Sequence, residues 1–309
     1  MSKSYYRVRL GEGGKNAAEC LASGFIGTDF RIRQDLAQSL PDDWRTFNRE
    51  FIPVFLEANP GKSRIAAGLN CGALWTVCQG MLMGDLVLSP DETGRFHVGE
   101  VSGAYFYEED GVLPHRRPVT WNTVIIDRAD MSESLWRAMR GPLTLVNATG
   151  YADEIELLVS GSSAPVLVST DDSVEDPASF AMEKHLEDFL VENWGQTDLG
   201  AAYDILEVDG EPVGQQYPTD TGPIDILAVS KDKTRLLVIE LKKGRANDRV
   251  VGQTLRYMGY VQDELAEAGQ IVEGAIIAPD DDLGLRRALS LVPSVAFYRY
   301  EVNFRLNAT

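Results

Sequence analysis

Cysteine and histidine are scarce in this chain, with three of each among 309 residues. Cys20, Cys71 and Cys78 are odd in number and share no zinc-ligand spacing with His97, His115 or His185. That excludes a disulfide framework and a structural zinc site, and leaves reduced thiols. No run of about 20 apolar residues occurs, and the start M-S-K-S-Y-Y-R lacks the apolar stretch of a secretory signal. A cytoplasmic protein with no membrane partner is expected. Basic residues are also in short supply: 29 Lys and Arg stand against 47 Asp and Glu, a net charge of −18. Such a chain repels polyanions, so any nucleic-acid contact must be confined to a local basic surface and be sensitive to salt.

What is present is enough for two cores. A length of 309 residues with 44% hydrophobic content fits two domains. The stretches S-G-S-S-A-P and S-T-D-D-S-V-E-D-P mark a linker at 161–176 between domains at 1–160 and 177–309. Residues 171–309 hold 13 basic and 26 acidic residues, so the acid excess lies in the second half. Its densest tracts, Asp171-Asp172, Glu175-Asp176 and Asp280-Asp281-Asp282, are expected in linkers and loops away from any site that binds an anion.

The most informative segment runs from Gly222 to Tyr260. Ile224 to Ser230 and Thr234 to Leu241 read as two antiparallel strands joined by Lys231-Asp232-Lys233. A symmetric fold about that turn sets Asp225 opposite Ile239; a one-residue bulge would set it opposite Glu240 instead. Side chains alternate along a strand, so Glu240 and Lys242 share a face. Facing carboxylates at about 5 Å, with Leu241 contributing its backbone carbonyl, are oxygen donors of the kind Mg²⁺, or Mn²⁺ in its place, takes along with water and a substrate phosphate. Lys242 can orient the attacking water or stabilise charge on phosphorus, and Gln253, on the next helix, can position Lys242 or the water.

Two helices flank the hairpin. Asp176-Pro177 starts one that ends near Gly195, on which Glu183 and Glu187 share a face. The other runs from Asp248 to Gly269 with Val251, Leu255, Met258 and Leu265 as its buried stripe, while Arg249, Gln253, Arg256 and Tyr260 form a second face suited to phosphate. Strands are expected at 205–208, 274–278 and 295–304 and a short helix at 283–291. Lys242, Lys243, Arg245, Arg249 and Arg256 make the one basic cluster of the C-terminal half.

The strings G-P-I-D-I-L, V-I-E-L-K-K-G-R and G-Q-T-L-R-Y-M-G-Y, at Gly222, Val238 and Gly252, resemble the PD-(D/E)XK nucleases, specifically the NucS-like and Mrr-like endonuclease domains. The resemblance implies an α/β fold with a restriction-endonuclease-like mixed sheet flanked by helices, and Mg²⁺-dependent hydrolysis of DNA. It implies Asp225 and Glu240 as metal ligands, Lys242 as the catalytic lysine, Gln253 as an accessory residue, and Glu187, with Glu183 second, as the helix glutamate. Pro223 departs from the arginine usual in the NucS-like group, so mismatch-specific cutting does not follow from the resemblance.

The N-terminal half carries helical spacing through Leu36, Leu40, Trp44, Phe47, Phe51 and Phe55, interrupted by Pro41 and Pro53. The runs G-A-L-W-T-V, M-G-D-L-V-L-S-P, F-H-V-G-E-V-S-G-A-Y-F-Y and P-H-R-R-P-V-T-W then read as short strands of a small barrel within an α+β domain. Over about 65–125 this pattern resembles the PUA-like and EVE-like barrels fused to some Mrr-like proteins. The resemblance implies base readout, with Trp75, Tyr105, Tyr107 and Trp121 for stacking and His115, Arg116 and Arg117 for phosphate or base edges. The expected function is a restriction or genome-defence endonuclease; a nuclease gated by a small nucleotide and a non-cleaving DNA-binding protein are the alternatives. One site cuts one strand, so duplex breakage implies a homodimer.

Overall fold

The structure is a computed structural model describing residues 3–160 and 186–300. The chain divides into two compact units, Met1–Pro165 and Val166–Thr309. Among the described residues no helix is long and apolar enough to cross a membrane.

The N-terminal unit contains β1 (Tyr5–Val8), α1 (Ala17–Ser23), β2 (Phe25–Thr28), α2 (Trp44–Ala58), α3 (Arg64–Trp75), β3 (Leu86–Pro90), β4 (Phe96–Val101), β5 (Phe106–Tyr107), β6 (His115–Ile126), α4 (Glu133–Arg140), β7 (Leu145–Asn147) and α5 (Ala152–Ser160). The sheet order is β2-β6-β4-β3-β1-β7, with β5 also on β6. The long strand β6 pairs with β2 through Pro118 and with β4 from Val119 onward. One strand thus serves two stretches of sheet, which curls around it. No pair closes β2 onto β7 among the described residues, so the barrel expected over 65–125 takes the form of this curled sheet.

One run expected as a strand is helical. G-A-L-W-T-V lies at the end of α3 and in the helical turn Thr76–Gly80. Ser63 starts that helix, its hydroxyl accepting from the Ala66 N–H at 3.2 Å. Gly72 is a packing notch, not a turn: a Cβ there would sit 2.3 Å from the Trp44 ring, so its absence lets α2 and α3 close together. Leu36 and Leu40 lie ahead of α2, which begins only where Asp43 accepts from the Thr46 N–H at 2.9 Å. Pro53 is inside α2.

In the C-terminal unit residues 186–192 are helical, followed by α6 (Asp198–Ala202), β8 (Tyr203–Ile205), β9 (Glu207–Val208), β10 (Glu211–Pro212), β11 (Gln215–Tyr217), β12 (Ile224–Ser230), β13 (Arg235–Leu241), α7 (Asp248–Tyr260), β14 (Ile271–Ala278), α8 (Leu283–Leu289) and β15 (Val295–Arg299). The sheet runs β11-β12-β13-β14-β15, antiparallel from β11 to β13 and parallel from β13 to β15. This is the mixed sheet with flanking helices that the sequence suggests. The strand expected at 205–208 is split between β8 and β9, and β12 is bordered by β11 along Ile224–Ile226 and by β8 along Ala228–Ser230. Trp194, Leu199, Ile226, Ala228, Leu237, Ile239, Ala275 and Ile277 share one core.

Gly274 brings α7 onto the sheet, since an added Cβ would meet Met258 Sδ at 2.8 Å and Thr254 Cγ2 at 2.9 Å. The buried face of α7 is Val250, Val251, Thr254, Tyr257, Met258 and Tyr260. Leu255, expected in that stripe, is 40% exposed, and Tyr260, expected beside the basic residues, is buried. The α-helix stops at Tyr260, and the wider turn Val261–Leu265 carries Leu265 into the core.

Candidate active site

The hairpin reaches the required register without a bulge. Its pairs run from Ile226↔Ile239 to Val229↔Leu236 with no shift, so the next residues, Asp225 and Glu240, face each other. The cause lies in the turn. Asp232 accepts from the Ser230 hydroxyl at 2.5 Å, the Thr234 N–H at 3.1 Å and the Thr234 hydroxyl at 2.8 Å, and Lys233 adopts a left-handed φ of 61°. Thr234 is thereby held in a turn of four residues rather than in the strand, and the added residue moves the pairing by one.

Asp225 Oδ2 accepts the Leu241 N–H at 2.7 Å, and Oδ1 accepts from Gln216 Nε2 at 3.3 Å. Glu240 is only 2% exposed, and its Oε1 lies 3.1 Å from Lys242 Nζ. Glu187, buried on the helix at 186–192, accepts from Gln216 Nε2 and, at 2.7 Å, from Gln215 Nε2. Gln215 Nε2 also donates to Asp188 Oδ1 at 2.8 Å. Glu187 is therefore linked to Asp225 through one amide. Glu183 lies outside the described residues.

Gln253 lies on α7 one turn before Tyr257, a residue the sequence reading passed over. Burial pushes the Tyr257 pKa up, the Glu240 and Asp225 carboxylates push it further, and the Gln253 side chain works the other way. The same hydroxyl would lie 3.2 Å from a Cβ at Gly222, whose φ of 120° suits only glycine. The four-residue spacing from Gln253 to Tyr257 was the available signal.

The basic cluster is less open than expected. Arg249 and Arg256 are exposed on α7. Arg245, though also exposed, donates from Nε to the Asp281 carbonyl at 3.0 Å and lies 3.7 Å from Asp280 Oδ2. The acidic tract Asp280–Asp282 is thus next to the motif, where Ala246 N–H also donates to the Asp280 carbonyl at 2.9 Å. The reason is topological: β13 and β14 are parallel, so the segments after Leu241 and Ala278 leave the same end of the sheet. The tract at Asp171–Asp176 lies outside the described residues.

The N-terminal candidates do not converge on a stacking pocket. Trp75 lies near-parallel to Trp44 at 6.0 Å and donates to the Pro41 carbonyl at 3.3 Å. Tyr105 packs with the cluster of α2 and α3, its hydroxyl 3.0 Å from His115 Nδ1. Trp121 packs in another cluster and donates to the Cys20 carbonyl at 3.2 Å. His115 is fully buried with Nε2 2.7 Å from the Ile32 carbonyl, and Tyr107 packs against its ring. Arg116 stacks on Phe25 and donates to the carbonyls of Val112 and Leu113. Arg117, 7% exposed, donates to the carbonyls of Gly103, Val77 and Cys78, and burial lowers its pKa. These contacts make the six residues other than Tyr107 part of the framework, because each polar tip is already directed at a neighbouring protein group. All three cysteines are buried free thiols.

Residues 183–289 match the family described as the endonuclease NucS C-terminal domain, and residues 6–135 match a domain of unknown function, DUF8426. The C-terminal segment is thus similar to the NucS C-terminal domain, a PD-(D/E)XK-like nuclease domain. The chain is 30% identical over 86 residues to endonuclease NucS of Methanocaldococcus jannaschii and 29% identical over 85 residues to endonuclease NucS of Pyrococcus abyssi. Each alignment covers 28% of this chain and 32% of the relative, so the chain spans about a third of the length of the curated relatives it matches. A solved structure of EndoMS in complex with double-stranded DNA is similar at 15% identity and a TM-score of 0.32, over 68% of this chain and 62% of that one.

Proposed function

We propose that the C-terminal unit is a Mg²⁺-dependent endonuclease acting on DNA. The observation that carries this is the facing of Asp225 and Glu240 across β12 and β13 with Lys242 Nζ 3.1 Å from Glu240, inside the segment that matches the NucS domain. Among the described residues no group of three or more His, Cys, Asp or Glu could hold a metal by itself. The donor set fits Mg²⁺ all the same, because that ion is typically held by one or two carboxylates and keeps several waters. Asp225, Glu240 and the Leu241 carbonyl would hold it, and when bound it supplies charge neutralisation at the phosphate and a more acidic water.

The chain's own residues do the rest. Lys242 bears a mobile point charge on the face of β13 that carries Glu240, placed to orient the attacking water and to stabilise charge on the phosphoryl oxygens. Gln253 and Tyr257, one turn apart on α7, supply an amide and a hydroxyl near both carboxylates that can orient water or phosphate. Arg249 and Arg256 supply the exposed positive charge, with Asp280–Asp282 restricting the approach. One such site cuts one strand, so a single copy nicks and duplex breaks call for a second copy.

The test is incubation of the full chain with supercoiled plasmid, unmodified and base-modified, with and without Mg²⁺. Metal-dependent nicking that disappears in Asp225→Ala and Lys242→Ala is expected. Absence of metal-dependent cleavage on every substrate, or cleavage unaffected by both substitutions, refutes the proposal. Preference for modified DNA in the same panel decides whether the activity belongs to restriction or defence.

A further inference from the structure

Among the described residues five non-glycine positions have a left-handed φ: Arg31, Leu113, Asp209, Gln216 and Lys233. Four of them lie in turns or loops; Gln216, at φ 50°, lies inside strand β11. A residue with a Cβ is strained there, and glycine would adopt the same backbone freely. The strain has a visible consequence for direction. Gln215 pairs with Ile226 and Tyr217 with Ile224, so Gln216 is level with Asp225 and its twisted backbone aims the amide at the acidic groups.

That amide has two N–H donors at Nε2. Both Glu187 Oε2 and Asp225 Oδ1 accept from it, the latter at 3.3 Å. Gln215 fixes the other oxygen of Glu187 at 2.7 Å. Two carboxylates on different elements would otherwise repel and turn apart. A neutral double donor holds them together without adding charge that would compete with a cation. A carboxylate in its place would add repulsion, and a lysine would neutralise the anionic character that draws the ion.

Resting on the nuclease reading above, we propose that Gln216 is a positioning residue for cation binding: its amide holds Glu187 and Asp225 in the orientation a divalent ion requires. The strained backbone of β11 is retained because only this conformation delivers the amide to both carboxylates. Ligand-orienting partners of this kind typically change metal affinity by about 10- to 100-fold when removed.

The test is Gln216→Gly, which deletes the amide and relieves the backbone. Mn²⁺ binding to the full chain is measured by titration calorimetry, beside thermal unfolding without metal, for wild type, Gln216→Gly and Asp225→Ala. The expected result is an unfolding midpoint at or above that of wild type with Mn²⁺ affinity weakened by about 10-fold or more. Unchanged Mn²⁺ affinity in Gln216→Gly, with wild-type binding lost in Asp225→Ala, overturns the role of Gln216 alone. A lowered unfolding midpoint in Gln216→Gly also overturns it, showing the side chain to be structural. Wild-type binding that does not depend on Asp225 overturns the nuclease reading as well.

Discussion

Asp225→Asn is expected to be more stable than wild type without metal and less stable than wild type with it. Without metal, Asp225 shares the Gln216 amide with one carboxylate, Glu187, and faces another, Glu240, across the strands, while one cation, Lys242, is paired with Glu240. Among these four groups the surplus is one like charge at about 5 Å. With an effective dielectric of about 20 this costs about 3 kcal/mol. Against it, the Asn amide has a single oxygen: the hydrogen bond from the Leu241 N–H weakens to a neutral one, a loss of about 1 kcal/mol, and the longer bond from Gln216 Nε2, which then faces the Asn NH2, is lost at about 1 kcal/mol more. The variant should therefore be about 1 kcal/mol more stable than wild type in EDTA. Wild type should gain about 2.7 kcal/mol at a metal concentration 100 times its dissociation constant, and the variant almost nothing. Urea denaturation of the full chain, followed by tryptophan fluorescence in EDTA and in saturating Mg²⁺, reads both quantities. A variant less stable than wild type in EDTA by about 1 kcal/mol or more would show that the carboxylate is there to hold the fold, and the reasoning fails.

Two further outcomes test the N-terminal unit. Gly72→Ala ordinarily favours a helix by about 1 kcal/mol, but here the new Cβ meets the Trp44 ring at 2.3 Å, so overpacking should make the net effect a loss of about 1–2 kcal/mol; stability equal to or above wild type refutes the close approach of α2 and α3. Burial lowers the pKa of His115 below its ordinary 6.5, so the unfolded chain takes up a proton first as pH falls. The stability this residue contributes is present above about pH 6.5 and lost on further acidification. Between pH 7 and 5 wild type should lose more stability than His115→Gln, and parallel pH profiles refute the buried neutral ring.

The proximity of Asp225, Glu240 and Lys242, the proposed catalytic trio, was legible because it is set by local spacing. Alternation along β13 sets Glu240 and Lys242 on one face, and the only doubt was whether the turn would bring Asp225 level with Glu240. Asp232 settled that by drawing Thr234 into the turn, a side-chain effect that strand propensity cannot show. Gln215 and Gln216 were not legible: polar residues before a strand carry no mark of a left-handed backbone, which arises only when β11 is laid against β12. Nor was the acidic tract at Asp280–Asp282 legible as a neighbour. It is 38 residues beyond Lys242 in sequence, and only the parallel pairing of β13 and β14 brings their exits together.

The N-terminal arginines show why a basic dipeptide in a sheet is a poor sign of a phosphate site. Irregular backbone leaves carbonyls without ladder partners, and a guanidinium offers five donors in a planar fork that can close several at once. Arg117 does this for Val77 and Cys78 in the helical turn after α3 and for Gly103 in the loop after β4. Arg116 does it for Val112 and Leu113. Arg7 on β1 donates to the carbonyls of Leu143 and Gly141, and Arg9, just after it, to those of Pro142 and Gly141. Four of the 14 basic residues in 1–130 are therefore committed to backbone carbonyls. The same commitment accounts for the burial of Arg7 and Arg117, since each guanidinium exchanges water for carbonyl oxygens. Recognition of an anion by this unit would have to come from the arginines and lysines that remain, which the spacing of H-R-R-P gave no reason to consider.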